Sequence, residues 1–155
     1  MFLKHVDMVA AWFSEDGEHP DELSVTLELR GFESPTRMLQ AVYVVELSYN
    51  YNHYSVVVHT DPSGIGYFMA GKSEDGDSVI GGWNVCPGFC DEDSHTITWE
   101  VPKETVGNPP PAGRLTNIHA HTHLRFTTES GLPRMDLFTD LSHNARSVRD
   151  YTVQY

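Results

Sequence analysis

Residues 23 to 30 read LSVTLELR, and no other stretch of the chain restricts its fold more. Leu23, Val25, Leu27 and Leu29 occupy alternate positions, with Ser24, Thr26, Glu28 and Arg30 between them. Side chains alternate faces along a strand, so this segment has one apolar and one polar side and must cover another layer. Rougher alternation runs through QAVYVVELSY (40 to 49) and YNHYSVVVHT (51 to 60), and the polar link at Asn50 to Asn52 predicts a hairpin. GIGYFMA (64 to 70), SVIGGWNV (78 to 85), HTITWEV (95 to 101), IHAHTHLRFT (118 to 127) and DYTVQY (150 to 155), with the opening MFLKHVDMVAAWF, bring the set to eight or nine strands. The segments between them are rich in Gly, Pro, Asp and Ser, the residues that turns use. This pattern predicts an all-β protein, an antiparallel β-sandwich or jelly roll. Helical periodicity extends about two turns at most, in PKETVG (102 to 107) and in the stretch after Pro133. The 155 residues suit one domain spanning 1–155.

Ten basic against 22 acidic residues leave a formal charge of -12. Phosphate backbones and anionic lipid surfaces need a positive footprint, so no nucleic acid is expected as a partner. No run of 18 apolar residues occurs, and no membrane insertion is expected. Asp7 interrupts the opening apolar run and no small-residue cleavage site follows, so that segment is a first strand rather than a leader.

The acids gather in EDGEHPDE (15 to 22), EDGD (74 to 77) and DED (91 to 93). Calcium takes several oxygens from flexible loops. Asp75 and Asp77, with Asp61 in DPSG, are the candidate calcium ligands, against the plainer alternative of solvated acidic turns. A second candidate metal site lies in NIHAHTHLRF (117 to 126). On a strand His119, His121 and His123 share one face, while Ala120, Thr122, Leu124 and Phe126 share the other. Neighbours two apart stand about 7 Å apart and can share an ion, whereas His119 and His123 are about 14 Å apart and cannot. A transition metal therefore takes two of them, His119 and His121, with His59 or His53 from the hairpin. HxH on a strand begins a cupin-type site, but no glutamate follows at short spacing. A solvated row of histidines is the reading adopted, and a metal site the alternative.

Cys86 and Cys90 in VCPGFCDED fit neither CxxC nor a zinc pattern. The intervening Pro and Gly bend the chain, so a local disulfide is expected, with two free thiols as the alternative. Of seven tyrosines and three tryptophans, Tyr51, Tyr54 and Trp83 are the candidate sugar-stacking residues, while Trp12 and Trp99 are expected in the core. No Gly-rich phosphate loop, HExxH or GxSxG occurs.

In TITWEVPKETVGNPPPAGRLTN (96 to 117) and RDYTVQY (149 to 155) the chain resembles secreted accessory β-sandwich modules of archaeal and bacterial extracellular proteins, often appended to subtilisin-like peptidases. Trp99, Pro102, Val106, Gly107, Pro110, Gly113 and Leu115 carry the likeness, which extends more distantly to carbohydrate-binding and DOMON-type sandwiches. The resemblance implies an extracellular setting and calcium or sugar as ligand classes. Such modules favour aromatic or small residues where the three histidines stand, so it implies no shared metal site. The expected function is a non-catalytic extracellular module that binds a glycan, a protein surface, its parent polypeptide or identical subunits. The alternatives are a cupin-like metal-dependent enzyme and a subunit of an extracellular assembly that pairs through an edge strand.

Overall fold

The computed structural model describes residues 7–31, 39–61, 64–74, 78–79, 84–126, 135–137 and 146–155. In chain order the strands are β1 (Met8–Ser14), β2 (Glu22–Leu29), β3 (Leu39–Tyr49), β4 (Asn52–Asp61), β5 (Gly64–Glu74), β6 (Ser78–Val79) and β7 (Asn84–Val85). Then follow β8 (Gly88–Asp91), β9 (Thr96–Pro102), β10 (Arg114–Phe126), β11 (Met135–Leu137), β12 (Arg146–Val148) and β13 (Tyr151–Thr152). They form two antiparallel sheets, a smaller one in the order β1-β2-β9-β8 and a larger one in the order β11-β10-β3-β4-β5-β6. β12 and β13 also pair with β10, and β7 pairs with β5. The all-β sandwich predicted from the alternation is the fold the chain adopts. Among the described residues no helix is long and apolar enough to cross a membrane.

Strand parity places the core between the sheets. Leu23, Val25, Leu27 and Leu29 of β2 are all buried, beside Ile97, Trp99 and Val101 of β9 in register. Facing them from the larger sheet are Tyr43, Val45 and Leu47 of β3, Val56 and Val58 of β4, Phe68 of β5 and Ile118 of β10, all members of the same apolar cluster. Trp99 is fully buried, as expected, and meets Phe68 edge to face with ring centroids 5.9 Å apart. Gly88 lies opposite Trp99 in the β8–β9 register, and a Cβ there would stand 2.1 Å from the Phe68 ring. A hydrogen is all that the ring's seat leaves room for.

The β3–β4 hairpin closes at Asn50 and Tyr51, whose φ values of 48° and 63° are the two positive angles a type I′ turn requires. PKETVG forms a single 3-10 turn at Lys103–Val106, ended by Gly107 with φ 87°. The stretch after Pro133 departs from its helical expectation: Met135–Leu137 pairs with β10 as β11. Pairing to a neighbouring strand outweighs local periodicity in so short a segment. The expected strand 78 to 85 is represented by the short β6 and β7, and β8 is a strand where the composition suggested only a turn.

A buried polar cluster fastens the end of the chain to the smaller sheet. Lys103 Nζ donates to Glu15 Oε2 at 2.7 Å and to the Tyr155 carbonyl at 2.7 Å. Glu15 Oε1 accepts from the Tyr151 hydroxyl at 2.9 Å and from the Gln154 N–H at 2.8 Å. The donors outnumber what water would readily supply at this depth, which allows a carboxylate to stay buried and charged.

Candidate ligand-binding face

The outer face of the smaller sheet carries one row of side chains that crosses all four strands. The register aligns Trp12 of β1 with Thr26 of β2, Thr26 with Thr98 of β9, and Thr98 with Phe89 of β8. Trp12 is 39% exposed and Phe89 51%, whereas Thr26 and Thr98 between them are 7% and 8% exposed. The two threonine hydroxyls lie 3.1 Å apart and hydrogen-bond each other. Two exposed aromatic rings thus flank a pair of buried threonines whose hydroxyls satisfy each other. With neighbouring strands about 4.8 Å apart, the three steps from β1 to β8 place the ends of the row about 14 Å apart.

Carboxylates border the row. Ala10, Glu28, Thr96 and Asp91 align on one side, and Ser14, Ser24 and Glu100 on the other. Hydrogen bonds from the backbone N–H groups of Ser94 and Asp93 lower the Asp91 pKa, so that group is held as an anion. Arg30, just beyond β2, is paired with Asp7. The border is therefore acidic.

Trp12 corrects its expected place in the core. In MVAAWF both parities are apolar, and β1 turns Ala11 and Phe13 towards Leu27 and Val25, leaving Trp12 on the outer side with Thr26. The Phe13 ring stacks on Tyr151 at 5.6 Å instead. Beside β1 runs a groove of about 420 Å³ whose wall includes Val9, Phe13, Val148 and Tyr151. Tyr54 is also corrected as a sugar-stacking residue: it is buried, its ring packs over Gly107, and burial raises its pKa. Tyr51 is fully exposed at the hairpin tip. Trp83 lies outside the described residues.

The histidine strand alternates as expected. Ile118, Ala120 and Thr122 of β10 are buried, while His119 and His121 are on the opposite side. The side chain of His123 is outside the described set. His119 aligns with Glu46 of β3, and His121 Nε2 lies 3.4 Å from Glu46 Oε2. His59 does not join them: it aligns with Val42, and β3 separates its strand from β10. Two strand spacings, about 10 Å, stand between the two histidine columns. His53 Nδ1 instead meets the Ser48 hydroxyl at 2.7 Å. Among the described residues no group of three His, Cys, Asp or Glu side chains is arranged to hold a metal. Of the candidate calcium ligands, Asp75 and Asp77 lie outside the described residues, and Asp61 is described only as the last residue of β4.

The expected disulfide is absent: Cys86 and Cys90 are free thiols. Cys86 donates its N–H to the Phe68 carbonyl of the larger sheet, whereas Cys90 aligns with Ile97 in the smaller one. The residues between them cross from sheet to sheet and then run extended, so the bend that would bring the sulfurs together does not form. Burial pushes the Cys86 thiol up to about 11 and the Cys90 thiol to about 12.

Fold and face together define a β-sandwich with two exposed aromatic rings on the outer side of its smaller sheet. No protein-family model, no curated protein and no solved structure matches the chain.

Proposed function

We propose that the chain is a non-catalytic binding module that holds a glycan on the outer face of its smaller sheet. The row Trp12, Thr26, Thr98 and Phe89 carries this reading. A pyranose has an apolar C–H face that stacks on an aromatic ring, and a rim of hydroxyls that donates to carboxylate oxygens. Two exposed rings and an acidic border offer both kinds of contact. Glycan-array screening of the parent protein and of Trp12→Ala and Phe89→Ala tests it. Both variants should melt near the parent, because each removes a ring outside the core, and both should lose binding. Undiminished binding by both variants would overturn the assignment to this face.

An accessory role within a larger extracellular protein is supported by the resemblance around TITWEVP and RDYTVQY. Calcium held by Asp61, Asp75 and Asp77 belongs to the same proposal and is supported by the place of Asp75 and Asp77 in the acidic EDGD and of Asp61 in the turn-forming DPSG. A bound ion that recognises only the folded state raises the melting midpoint by several degrees, so an unchanged midpoint in chelator removes calcium from the account.

The metal-dependent alternative is favoured by one contact, that of His121 with Glu46 opposite His119. Elemental analysis after incubation with zinc and nickel tests it. Stoichiometric metal that is lost in His121→Ala supports it, and protein free of metal ends it.

A further inference from the structure

We infer that the outer edge of β1 takes up an extended peptide, in which apolar residues alternate with carboxylates, as an added strand of the smaller sheet. The groove of about 420 Å³ beside β1 carries the inference. Its walls are residues 9–13 of β1 and residues 148–151, each an unbroken run. Side chains alternate faces along a strand, so a hollow on a sheet face touches every second residue. A groove that touches every residue in turn lies along the main-chain edge instead. Among the described residues β1 pairs only with β2, and a strand in that position directs part of its N–H and C=O groups away from the sheet. Ala10 and Ala11 keep this edge open, because neither side chain extends beyond a methyl group. The register shift between Met8 and Ala10 confines regular pairing to residues 10–14.

The walls set the chemistry of the occupant. Phe13 is buried and stacks on Tyr151, with Val9 and Val148 half-buried on either wall. An extended partner turns every second side chain towards this apolar lining, where a charged group would lose its water. Arg149 sets the other half of the pattern. It is exposed on the groove wall and pairs with no carboxylate among the described residues, whereas Asp150 beside it is held by Arg114 at 2.9 Å. The free charge at the groove is therefore positive, on a chain whose net charge is -12. The charge of the whole molecule would draw a basic peptide, but the guanidinium at the groove matches a carboxylate. A second copy fits less well: two copies repel each other, and β1 itself, MVAAWFS, has no carboxylate to set beside a guanidinium. The occupied edge is distinct from the outer sheet face, so this inference is independent of the glycan reading.

The test is isothermal titration of the intact protein with three capped five-residue peptides: alternating valine and glutamate, alternating valine and lysine, and the valine–glutamate peptide methylated at every main-chain nitrogen. The glutamate peptide should bind about fivefold or more tightly than the lysine peptide, and the methylated one should not bind, since it has no N–H to pair with an edge. Arg149→Glu, a change at an exposed position, should melt with the parent and reverse the order of the two charged peptides. Bound glutamate peptide should slow amide exchange within residues 10–13. A lysine peptide that binds the parent as tightly would show that the net charge governs and would overturn the inference. Equal binding of the methylated peptide, an order unchanged in Arg149→Glu, or no binding of the glutamate peptide at millimolar concentration would also overturn it. So would light scattering that finds dimers of the parent with amide exchange in residues 10–13 already slowed, because the occupant would then be a second copy.

Discussion

Lys103→Met strips the ammonium from a buried cluster while nearly preserving side-chain length. The Lys103 and Glu15 side chains are 4% and 1% exposed, and they meet at 2.7 Å. In the variant the Glu15 carboxylate keeps its hydrogen bonds from Tyr151 and Gln154 but loses its counter-charge, and the Tyr155 carbonyl loses a donor. Removing one partner of a buried ion pair costs about 3–5 kcal/mol. The surviving hydrogen bonds to Glu15 place this case at the lower end, about 3 kcal/mol, a large share of the roughly 5–15 kcal/mol that holds a domain together. At about 2–4 °C per kcal/mol for a chain of this size, the melting midpoint falls by about 6–12 °C. Urea denaturation and scanning calorimetry measure the loss. Adding Glu15→Gln removes the stranded charge, so the double variant should recover at least half of it. A Lys103→Met protein that melts within about 2 °C of the parent, or a double variant no better than the single one, would refute the idea that an unpaired charge causes the loss.

The same cluster sets an acid limit. Burial acts to raise the Glu15 pKa, but the hydrogen bonds from Lys103, Gln154, Tyr151 and Tyr155 outweigh it and hold the group below its ordinary 4.5. That contribution is complete above the unfolded-state value and is lost as pH falls through the lowered folded one, so urea midpoints should drop as the pH falls below the ordinary 4.5 in the parent and less steeply in Glu15→Gln. Gly88→Ala drives a methyl into the Phe68 ring, at 2.1 Å for an unrelaxed Cβ, and should cost about 1–3 kcal/mol by chemical denaturation. Phe68→Leu should restore part of that loss, and a Gly88→Ala protein as stable as the parent would show that the ring moves freely. With folded-state values of about 11 and about 12, Cys86 and Cys90 should resist a disulfide-exchange reagent at pH 7.5 until urea unfolds the chain. Rapid labelling of the native protein would contradict the burial of Cys86 and the partial burial of Cys90.

The sandwich was legible because β2 alternates without exception and because Asn50 lies between two runs rich in valine and tyrosine. Parity failed where both faces of a strand are apolar. In MVAAWF the choice between Trp12 and Phe13 is made by pairing with β2, and in YSVVVH the inward place of Tyr54 is fixed by the larger sheet as a whole. Phe89 was hidden by its neighbours, since Pro87, Gly88 and the acids after Cys90 are turn formers. β9 converts that segment to a strand by offering it a ladder. The separation of His59 from His121 depends on β3 lying between their strands, and strand order is not a local property. Glu15 and Lys103 are 88 residues apart, with no periodicity to link them. The burial of Lys103 follows only from the assembled fold.

The two free thiols have a consequence for where this protein can mature. The chain has only two cysteines, and neither is bonded, so no covalent cross-link holds the sheets together. Stability comes from apolar packing and from the Glu15–Lys103 anchor, neither of which glutathione can undo. The native state should therefore form equally well in a reducing or an oxidising medium, with no need of an oxidase or a disulfide isomerase.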